Sequence, residues 1–386
     1  MSLQLKSQIN TNQQYHVYYD LEMINNDTTG LNPPQALRFS EIRNSPYLMS
    51  PENYFMSVVR FQLETPSLPV FIPQAQIGQS DVNRLIYSFT LTYNGYEVQQ
   101  FVKYVPCDSS QQLPNPPIKF QDLESNYYFV YCYQQWVAML NATLATAWTN
   151  LNTIVTTLTP PQALPSPNPP FFEFDPQSQI LILNADEAGY ANTLIKPINI
   201  FCNAPTYTLI NSFQALYNGY TNIINGKNFQ LIVKNIYNTN QFTLPSYTAL
   251  QMYQEGATTA LWNPIQSLVF TTALLPVANE LVSVPKVFNS DSNLFNTGNN
   301  ANIQPILTDF VVEFNPNNTY RPNVVYTPSA EYRLVDLFGS SPLSAIEIGC
   351  YWKDVFGGLH PFNLNSGCSG AIKIMFRRKD YNNAIL

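Results

Sequence analysis

Histidine and carboxylate side chains carry most acid–base and nucleophilic chemistry in proteins, and histidine is scarce in this chain. The sequence has two histidines, His16 and His360, and no nucleophile or acid stands directly beside either one. His360 follows a Gly357-Gly358 pair that predicts a turn, and a histidine there more often packs on strand backbone than acts as a base. A histidine-based catalytic triad is therefore not predicted.

Cysteine offers no clearer chemistry. The five cysteines are odd in number and widely separated, and no two form a CxxC pair, so neither a disulfide framework nor a zinc site is indicated. We expect reduced and mostly buried thiols. They are Cys107, Cys132, Cys202, Cys350 and Cys368.

Motifs for nucleotide, zinc-protease and hydrolase chemistry are absent from the sequence. It has no GxxxxGK[ST] loop, no GxGxxG after a strand, no HExxH, no GxSxG elbow and no acidic calcium loop. A glycosidase built on two carboxylates needs no local motif, and Glu173-Asp175 and Glu331-Asp336 lie beside aromatic residues. Surface solubility explains those acids equally well. We predict no enzyme, no metal and no cofactor.

Positive charge concentrates at the end of the chain. Four of the 18 basic residues fall in the last 14 positions, namely Lys373, Arg377, Arg378 and Lys379. One interpretation is a solvated strand end, and the other is an inward-facing or partner-contacting arm that meets an acidic surface or packaged nucleic acid. A net charge of −7 argues against a general nucleic-acid binder.

The elements that would position these residues are mostly strands. Only 11% of the 386 residues are charged, whereas 45% are hydrophobic and 14% aromatic, which favours a β-rich protein with a neutral surface. Alternation predicts strands at 54–64, where Val59, Phe61 and Leu63 share a face, and at 371–377. Two-residue turns at Asn94-Gly95, Asn225-Gly226 and Gly357-Gly358 predict antiparallel neighbours.

One segment breaks this pattern. Apolar spacings of three and four predict a long amphipathic helix over about 122–158, which Thr159-Pro160-Pro161 would stop. A proline-rich connector over 159–176 and β hairpins follow, the first around Asp175-Pro176. Long polar loops are predicted at 288–305 and 314–323. No apolar run long enough to span a membrane, and no secretory signal, is found.

Three segments carry a resemblance to a known family: AEYRLVDLFGSSPLSAIEIGCYWKDVFGGLHPFNLNSGCSGAIKIMFRRKDYNNAIL at 330–386, YFMSVVRFQLETPSLPVFIP at 54–73 and WNPIQSLVFTTALLPV at 262–277. They resemble the minor capsid, or penton, proteins of virophages and polinton-like viruses. The resemblance implies an antiparallel jelly-roll β-sandwich that assembles as a homopentamer at the vertices of an icosahedral virion, beside a separate major capsid protein. It brings no catalytic or cofactor residues with it.

The residues agree with that expectation, because a jelly roll needs antiparallel hairpins and long end loops, and interface cores are poor in charge and rich in aromatics. We predict an N-terminal arm and first part of the roll at 1–120, an insertion at 121–261, and the second part at 262–386. The protein would reside in the virion after synthesis in the host cytoplasm or viral factory, and its tail would make weak contact with DNA. The alternative function is a receptor-binding or glycan-binding β-sandwich adhesin.

Overall fold

The computed structural model describes residues 15–29, 35–75, 81–106, 126–234, 239–278, 305–311, 323–326, 333–355 and 357–380. The chain divides into two compact units. Unit 1 comprises Met1–Leu68, Ile265–Val312 and Arg321–Leu386, and unit 2 comprises Pro69–Pro264 and Glu313–Tyr320.

Strands dominate the described residues. In chain order they are β1 His16–Ile24, β2 Gln35–Ala36, β3 Arg38–Ile42, β4 Tyr54–Glu64, β5 Arg84–Tyr93, β6 Tyr96–Lys103, β7 Phe171–Asp175, β8 Ile180–Asp186, β9 Asn199–Cys202, β10 Ala215–Tyr217, β11 Phe229–Leu231, β12 Thr239–Thr243, β13 Thr248–Tyr253, β14 Ile265–Thr271, β15 Ile306–Val311, β16 Asn323–Tyr326, β17 Val335–Asp336, β18 Ala345–Asp354, β19 Leu359–Pro361, β20 Asn363–Leu364 and β21 Ser369–Arg378. The helices are α1 Tyr133–Thr156, α2 Glu187–Tyr190 and α3 Ala204–Leu209, with 3-10 turns at Pro51–Asn53, Asn126–Tyr128 and Thr259–Trp262.

Unit 1 contains two main antiparallel sheets. The first has the order β1-β21-β4-β16, and β17 also pairs with β4. The second has the order β15-β14-β18, and β18 pairs on its other side with β3 and β19. Aromatic rings from both sheets meet in the core, where Phe61 lies 5.3 Å from Phe270 and 4.9 Å from Phe310 between ring centroids. Such pairs contribute about 0.5–1.5 kcal/mol each beyond area burial.

Strand β4 departs from the simple alternation that the sequence predicts. Its register with β21 shifts between Lys373 and Ile374, which pair with Arg60 and Val58, so Val59 has no opposite residue. This β-bulge changes which residues face inward. Val58 and Phe61 are buried on either side of it, whereas Val59 is only half-buried. The predicted common face of Val59 with Phe61 is therefore wrong, although the strand itself is confirmed.

Unit 2 contains two sheets, β10-β11-β9-β5-β6 and β12-β13-β8-β7, and helix α1 contacts β5, β6 and β7. The buried side of α1 includes Trp136, Val137, Leu140, Leu144, Ala147, Leu151 and Val155. A fully buried aliphatic side chain of this kind contributes roughly 1.5–3 kcal/mol relative to an exposed one.

The boundaries within unit 2 differ from those predicted. Residues 126–128 form a 3-10 turn and 129–132 are not helical, so the helix begins at Tyr133 rather than near 122. Residues 122–125 lie outside the described ones. The connector ends earlier than predicted, because β7 begins at Phe171. Strands β5 and β6 belong to unit 2, which begins at Pro69, whereas the predicted division left them in the first part of the roll.

The structure agrees with the predicted turns to different extents. Asn94 (φ 49°) and Gly95 (φ 90°) join β5 to β6 with Tyr93 opposite Tyr96, as predicted. A hairpin follows at β18–β19, but its connection includes Val355 as well as the glycine pair. The hairpin around Asp175-Pro176 is confirmed by the pairing of β7 with β8.

The predicted turn at Asn225-Gly226 is wrong. β10 and β11 do pair, but they are joined by a loop over 218–228. The Asn225 side chain accepts a hydrogen bond from the Lys227 N–H at 3.1 Å, and this local bond competes with a two-residue hairpin turn. The long loops predicted at 288–305 and 314–323 fall almost wholly outside the described residues.

Candidate assembly surface

The four basic residues singled out by the sequence do not form a separate arm. Lys373, Arg377 and Arg378 lie in β21, which pairs with β1 on one side and β4 on the other. Lys379 follows directly, and its N–H donates to the Asn53 carbonyl at 2.9 Å. The residues 381–386 lie outside the described part.

Most of this positive charge is matched by nearby carboxylates. The Lys373 ammonium lies 3.0 Å from an Asp20 oxygen, and the Arg60 guanidinium lies 3.2 Å from the other. Arg378 pairs with Asp380 at 2.6 Å, and Lys379 Nζ lies 2.9 Å from an Asp336 oxygen. Exposed pairs of this kind are worth about 0–1 kcal/mol each. A phosphate or partner carboxylate would therefore compete with internal counterions for these cations, and the partner-contacting role stays a prediction.

The carboxylates near aromatic residues are held by local structure. A groove of about 610 Å³ beside β7 is lined partly by Glu173 and Asp175. Hydrogen bonds from Ser178 and Gln177 lower the pKa of Asp175, so it does not suit the role of a protonated acid. Glu173 accepts a hydrogen bond from the Asn184 amide at 3.0 Å.

The second acidic pair is not assembled either. Asp336 pairs with Lys379, and Glu331 lies outside the described residues. Within the described ranges, no group of three or more histidine, cysteine or acidic residues could hold a metal ion. No described helix is long and apolar enough to cross a membrane.

One buried ionisable pair was missed by the sequence analysis. His360 Nε2 lies 2.8 Å from Asp354 Oδ2, and the two side chains are 5% and 1% exposed. The other Asp354 oxygen accepts from the Gly358 N–H at 2.8 Å, and the imidazole stacks on Trp352 at 4.1 Å. Because the pair is buried and joins a residue of β18 to a residue of β19, it stabilises the connection between these strands. The sequence did contain a signal for this pair, because an aspartate stands just before the predicted turn and a histidine just after it.

The cysteines contribute no constellation of their own. Cys202 and Cys350 are buried, and burial raises the pKa of each thiol far above its usual range. Cys132 is exposed, and Cys368 is half-buried. These four are free thiols, and Cys107 lies outside the described residues.

The features that suit assembly are the edges of the unit 1 sheets. Val311 of β15 is 73% exposed and Val325 of β16 is 57% exposed, and both strands lie at the ends of their sheets. The Phe310 and Tyr326 rings lie 4.4 Å apart, so these two edges lie on the same side of the unit. A second pair of edge strands, β1 and β3, carries exposed Tyr18, Ile24 and Ile42.

A β-rich unit of paired antiparallel sheets with exposed apolar edges is typical of proteins that pack into larger assemblies. The chain belongs to the family of Sputnik minor capsid proteins V18/19, whose family model matches residues 17–378. Its role is that of a structural capsid protein, which confirms the family predicted from the sequence.

Individual relatives agree with this assignment. The chain is 31% identical over 213 residues to "Structural protein V19" of Sputnik virophage, covering 54% of this chain and 94% of that protein. It is similar to a chain in the cryo-EM structure of the Sputnik virophage, with a TM-score of 0.77, 28% identity, and coverage of 96% of this chain and 99% of the other. The mavirus penton protein shares the fold at 16% identity, with a TM-score of 0.62 over 95% and 100% of the two chains.

Proposed function

We propose that this chain forms the pentameric vertices, or pentons, of an icosahedral virophage shell, and that unit 1 is the jelly roll from which each vertex is built. The structural capsid role comes from the family, and the pentameric arrangement is the proposal. The mavirus relative is named a penton protein, and its shared fold supports extending that arrangement to this chain.

The pairing order of the unit 1 strands carries the proposal. Eight strands follow one another along the chain as β1, β3, β4, β14, β15, β16, β18 and β21. The first pairs with the eighth, the second with the seventh, the third with the sixth and the fourth with the fifth. Two further pairs, β21 with β4 and β18 with β14, join these into two four-stranded sheets. This pairing order supports the proposed jelly roll, because a jelly roll has the strand order of a long hairpin rolled into a sandwich.

In this scheme unit 2 is an insertion. Its main segment, Pro69–Pro264, lies in the chain between β4 and β14, the third and fourth strands of the roll. It carries the helix α1, which we propose is amphipathic, because its buried residues recur at spacings of three and four. An insertion is free to take a role that the roll itself does not have.

A fivefold ring requires two different contacting surfaces on each subunit, because a cyclic interface with more than two subunits is heterologous. The two sides of unit 1 meet this requirement. We propose that the side formed by β15 and β16 packs against the side formed by β1 and β3 of the next subunit. Exposed Val311 and Val325 on one side would meet Ile24 and Ile42 on the other.

The remaining partners are proposed on the same basis. The ring would contact the major capsid protein of the same virion after synthesis in the host cytoplasm or viral factory. The basic residues of β21 are candidates for that contact, or for a weak contact with packaged DNA, once their internal carboxylate partners are displaced. No catalytic activity is proposed.

Negative-stain imaging and light scattering of the purified protein test the proposal. We expect fivefold rings with five times the mass of the monomer, formed alone or with the shell partner. Val311→Asp with Val325→Asp should convert rings to folded monomers, because charges at an apolar contact lose their solvation without gaining a partner. Ile195→Asp places the same charge on a side chain of unit 2 that is 99% exposed, and it serves as the control for added surface charge.

A strict monomer, both alone and with the major capsid protein, would contradict the pentameric vertex. That result would favour the adhesin alternative, in which the same β-sandwich works as a separate binding module.

A further inference from the structure

The β10–β11 hairpin of unit 2 carries a concentration of exposed apolar side chains. Five occur within nine residues, at exposures between 42% and 61%. They are Leu216, Tyr217, Tyr220, Ile223 and Ile224. Exposed apolar side chains mark a binding surface when they share one face, so the face on which each one lies decides the argument.

The hairpin sorts these side chains onto different faces. Tyr217 lies opposite Phe229 in the register with β11, and Leu216 lies opposite Gln230, so their side chains point to opposite sides of the sheet. The Ile224 carbonyl accepts from the Gln99 amide, and Gln99 lies on the Gln230 side. The aliphatic Leu216 and Ile224 are therefore separated from the Tyr217 ring.

Tyr217 belongs to a cluster of three aromatic rings. Tyr207 and Phe229 stack at 3.9 Å with planes 12° apart, and Tyr217 packs on Phe229 at 5.1 Å. The hydroxyl of Tyr207 donates to the Phe213 carbonyl at 3.1 Å, which fixes the inner ring. Tyr217 thus presents a ring whose orientation is set before any ligand arrives.

The loop beside this ring is also held in one conformation. Asn228 is fully buried; its amide donates to the Gly219 carbonyl at 2.9 Å and its oxygen accepts from the Ala204 N–H at 3.1 Å. Asn228 therefore ties the loop to α3, the helix that carries Tyr207. Gly219 has φ +93°, which a residue with a side chain adopts only under strain. Preorganisation of this kind lowers the entropy lost on binding.

The polar groups next to the ring are uncharged. Among the described residues, the side-chain amide of Asn218 and the hydroxyls of Tyr217 and Tyr220 have no hydrogen-bond partner. The segment 215–229 has one charged residue, Lys227, and it pairs with Glu97 at 2.5 Å. A ligand here would meet a ring face, an amide and hydroxyls, but no unmatched charge.

From this arrangement we infer that the Tyr217 ring and the 218–222 loop form a binding site for a neutral carbohydrate. A pyranose has an apolar face that packs on an aromatic ring, and its hydroxyls bond to amides and phenols. If this surface were the core of a protein interface, the Asn218 amide and both phenol hydroxyls would lose water and would each need a hydrogen-bond partner on the other protein. The inference concerns unit 2 alone and does not depend on the pentameric vertex.

Saturation-transfer NMR on the full-length protein tests this site. The probes are neutral tetrasaccharides of glucose, N-acetylglucosamine, mannose and galactose, with a heparin tetrasaccharide as the charged probe. We expect a neutral probe to bind with a dissociation constant of about 1 mM or tighter. Tyr217→Ala should weaken it about tenfold, whereas Tyr217→Phe keeps the ring and should weaken it only about twofold.

Matched controls separate the possible results. Tyr18→Ala removes an equally exposed tyrosine from unit 1 and should leave binding unchanged. Circular dichroism verifies that each variant folds, and negative-stain imaging of Tyr217→Ala shows whether rings persist.

Three results would overturn the inference: no neutral probe binds, only the heparin probe binds, or Tyr217→Ala binds as well as the unaltered chain. Loss of rings in Tyr217→Ala without any sugar binding would assign the surface to a protein contact instead. Sugar binding without rings would support this inference while contradicting the pentameric vertex.

Discussion

Two edge strands of unit 2 differ in whether their outward-pointing backbone groups form hydrogen bonds. At β7, the Asn141 side chain of α1 accepts from the Phe172 N–H at 2.7 Å and donates to the Phe172 carbonyl at 2.8 Å. At β10, the backbone N–H and carbonyl of Leu216 point toward β11. By alternation the backbone groups of Ala215 and Tyr217 point outward, where no described residue forms a hydrogen bond with them.

The difference shows which edge is available to a partner. An unpaired edge is a template for further association, and proteins commonly block it. The side-chain amide of Asn141 makes the two hydrogen bonds that a neighbouring strand would make, and so it blocks the β7 edge. The β10 edge is left open beside the exposed tyrosines, which is where the structure offers contact.

The largest expected effect tests the connection between β18 and β19 in unit 1, where a buried pair rather than an edge-blocking amide makes the bonds. β19 pairs only with β18, and its connection is held by the Asp354–His360 pair. Asp354→Ala leaves the imidazole and the Gly358 N–H without their acceptor, and we expect it to lower the free energy of unfolding by about 2–4 kcal/mol. Urea denaturation measures the change.

Asp380→Ala is the matched control, because Asp380 belongs to an exposed pair with Arg378. It should cost no more than about 1 kcal/mol. Equal losses in the two variants would show that the buried pair has no special part in holding the β18–β19 connection.

The next effect tests the closed edge of unit 2. Asn141→Ala removes two hydrogen bonds and leaves the Phe172 N–H and carbonyl unsatisfied at the β7 edge. We expect a loss of about 2–3 kcal/mol in the free energy of unfolding. Asn218→Ala, beside the open β10 edge, should change the free energy of unfolding by less than about 0.5 kcal/mol. A loss as large as that of Asn141→Ala would contradict the difference between the two edges.

The smallest expected effect belongs to β10 itself. Leu216→Lys places a charge on a side chain that is already 55% exposed, so the free energy of unfolding should move by less than about 0.5 kcal/mol. Thermal denaturation followed by circular dichroism is sufficient to check it. A loss above about 1 kcal/mol would mean that the Leu216 side chain packs in the folded unit.

Elements governed by local rules could be predicted from the sequence. The alternation of Ile372, Ile374 and Phe376 located β21, and Asn94-Gly95 located a hairpin, because period and turn chemistry are properties of neighbouring residues. The sequence also identified the family. The alternation also placed Lys373 and Arg377 in β21, but it did not show that Lys373 lies opposite Asp20 of β1.

The remaining features depend on residues far apart in the chain. The bulge at Val59 arises from the register with β21, more than 300 positions away in the sequence, and alternation within β4 alone cannot show it. Asn141 blocks an edge strand that lies 31 positions later. The ring cluster of Tyr207, Phe229 and Tyr217 joins a helix and two strands, and nothing in the spacing of those aromatics distinguishes it from core.

Gly226 fixes where the binding loop of unit 2 is anchored. A methyl group at this position would lie 2.2 Å from the Thr90 hydroxyl and 2.7 Å from the Gln99 side chain, so the backbone sits directly on the sheet. Residues 220–222 lie between the points where the Gly219, Ile223 and Ile224 carbonyls are bonded to the rest of unit 2, and they can be exchanged without moving a strand. Variation among related chains is therefore expected to accumulate in this short stretch, where the proposed carbohydrate site could change its specificity while the sheets of unit 2 stay the same.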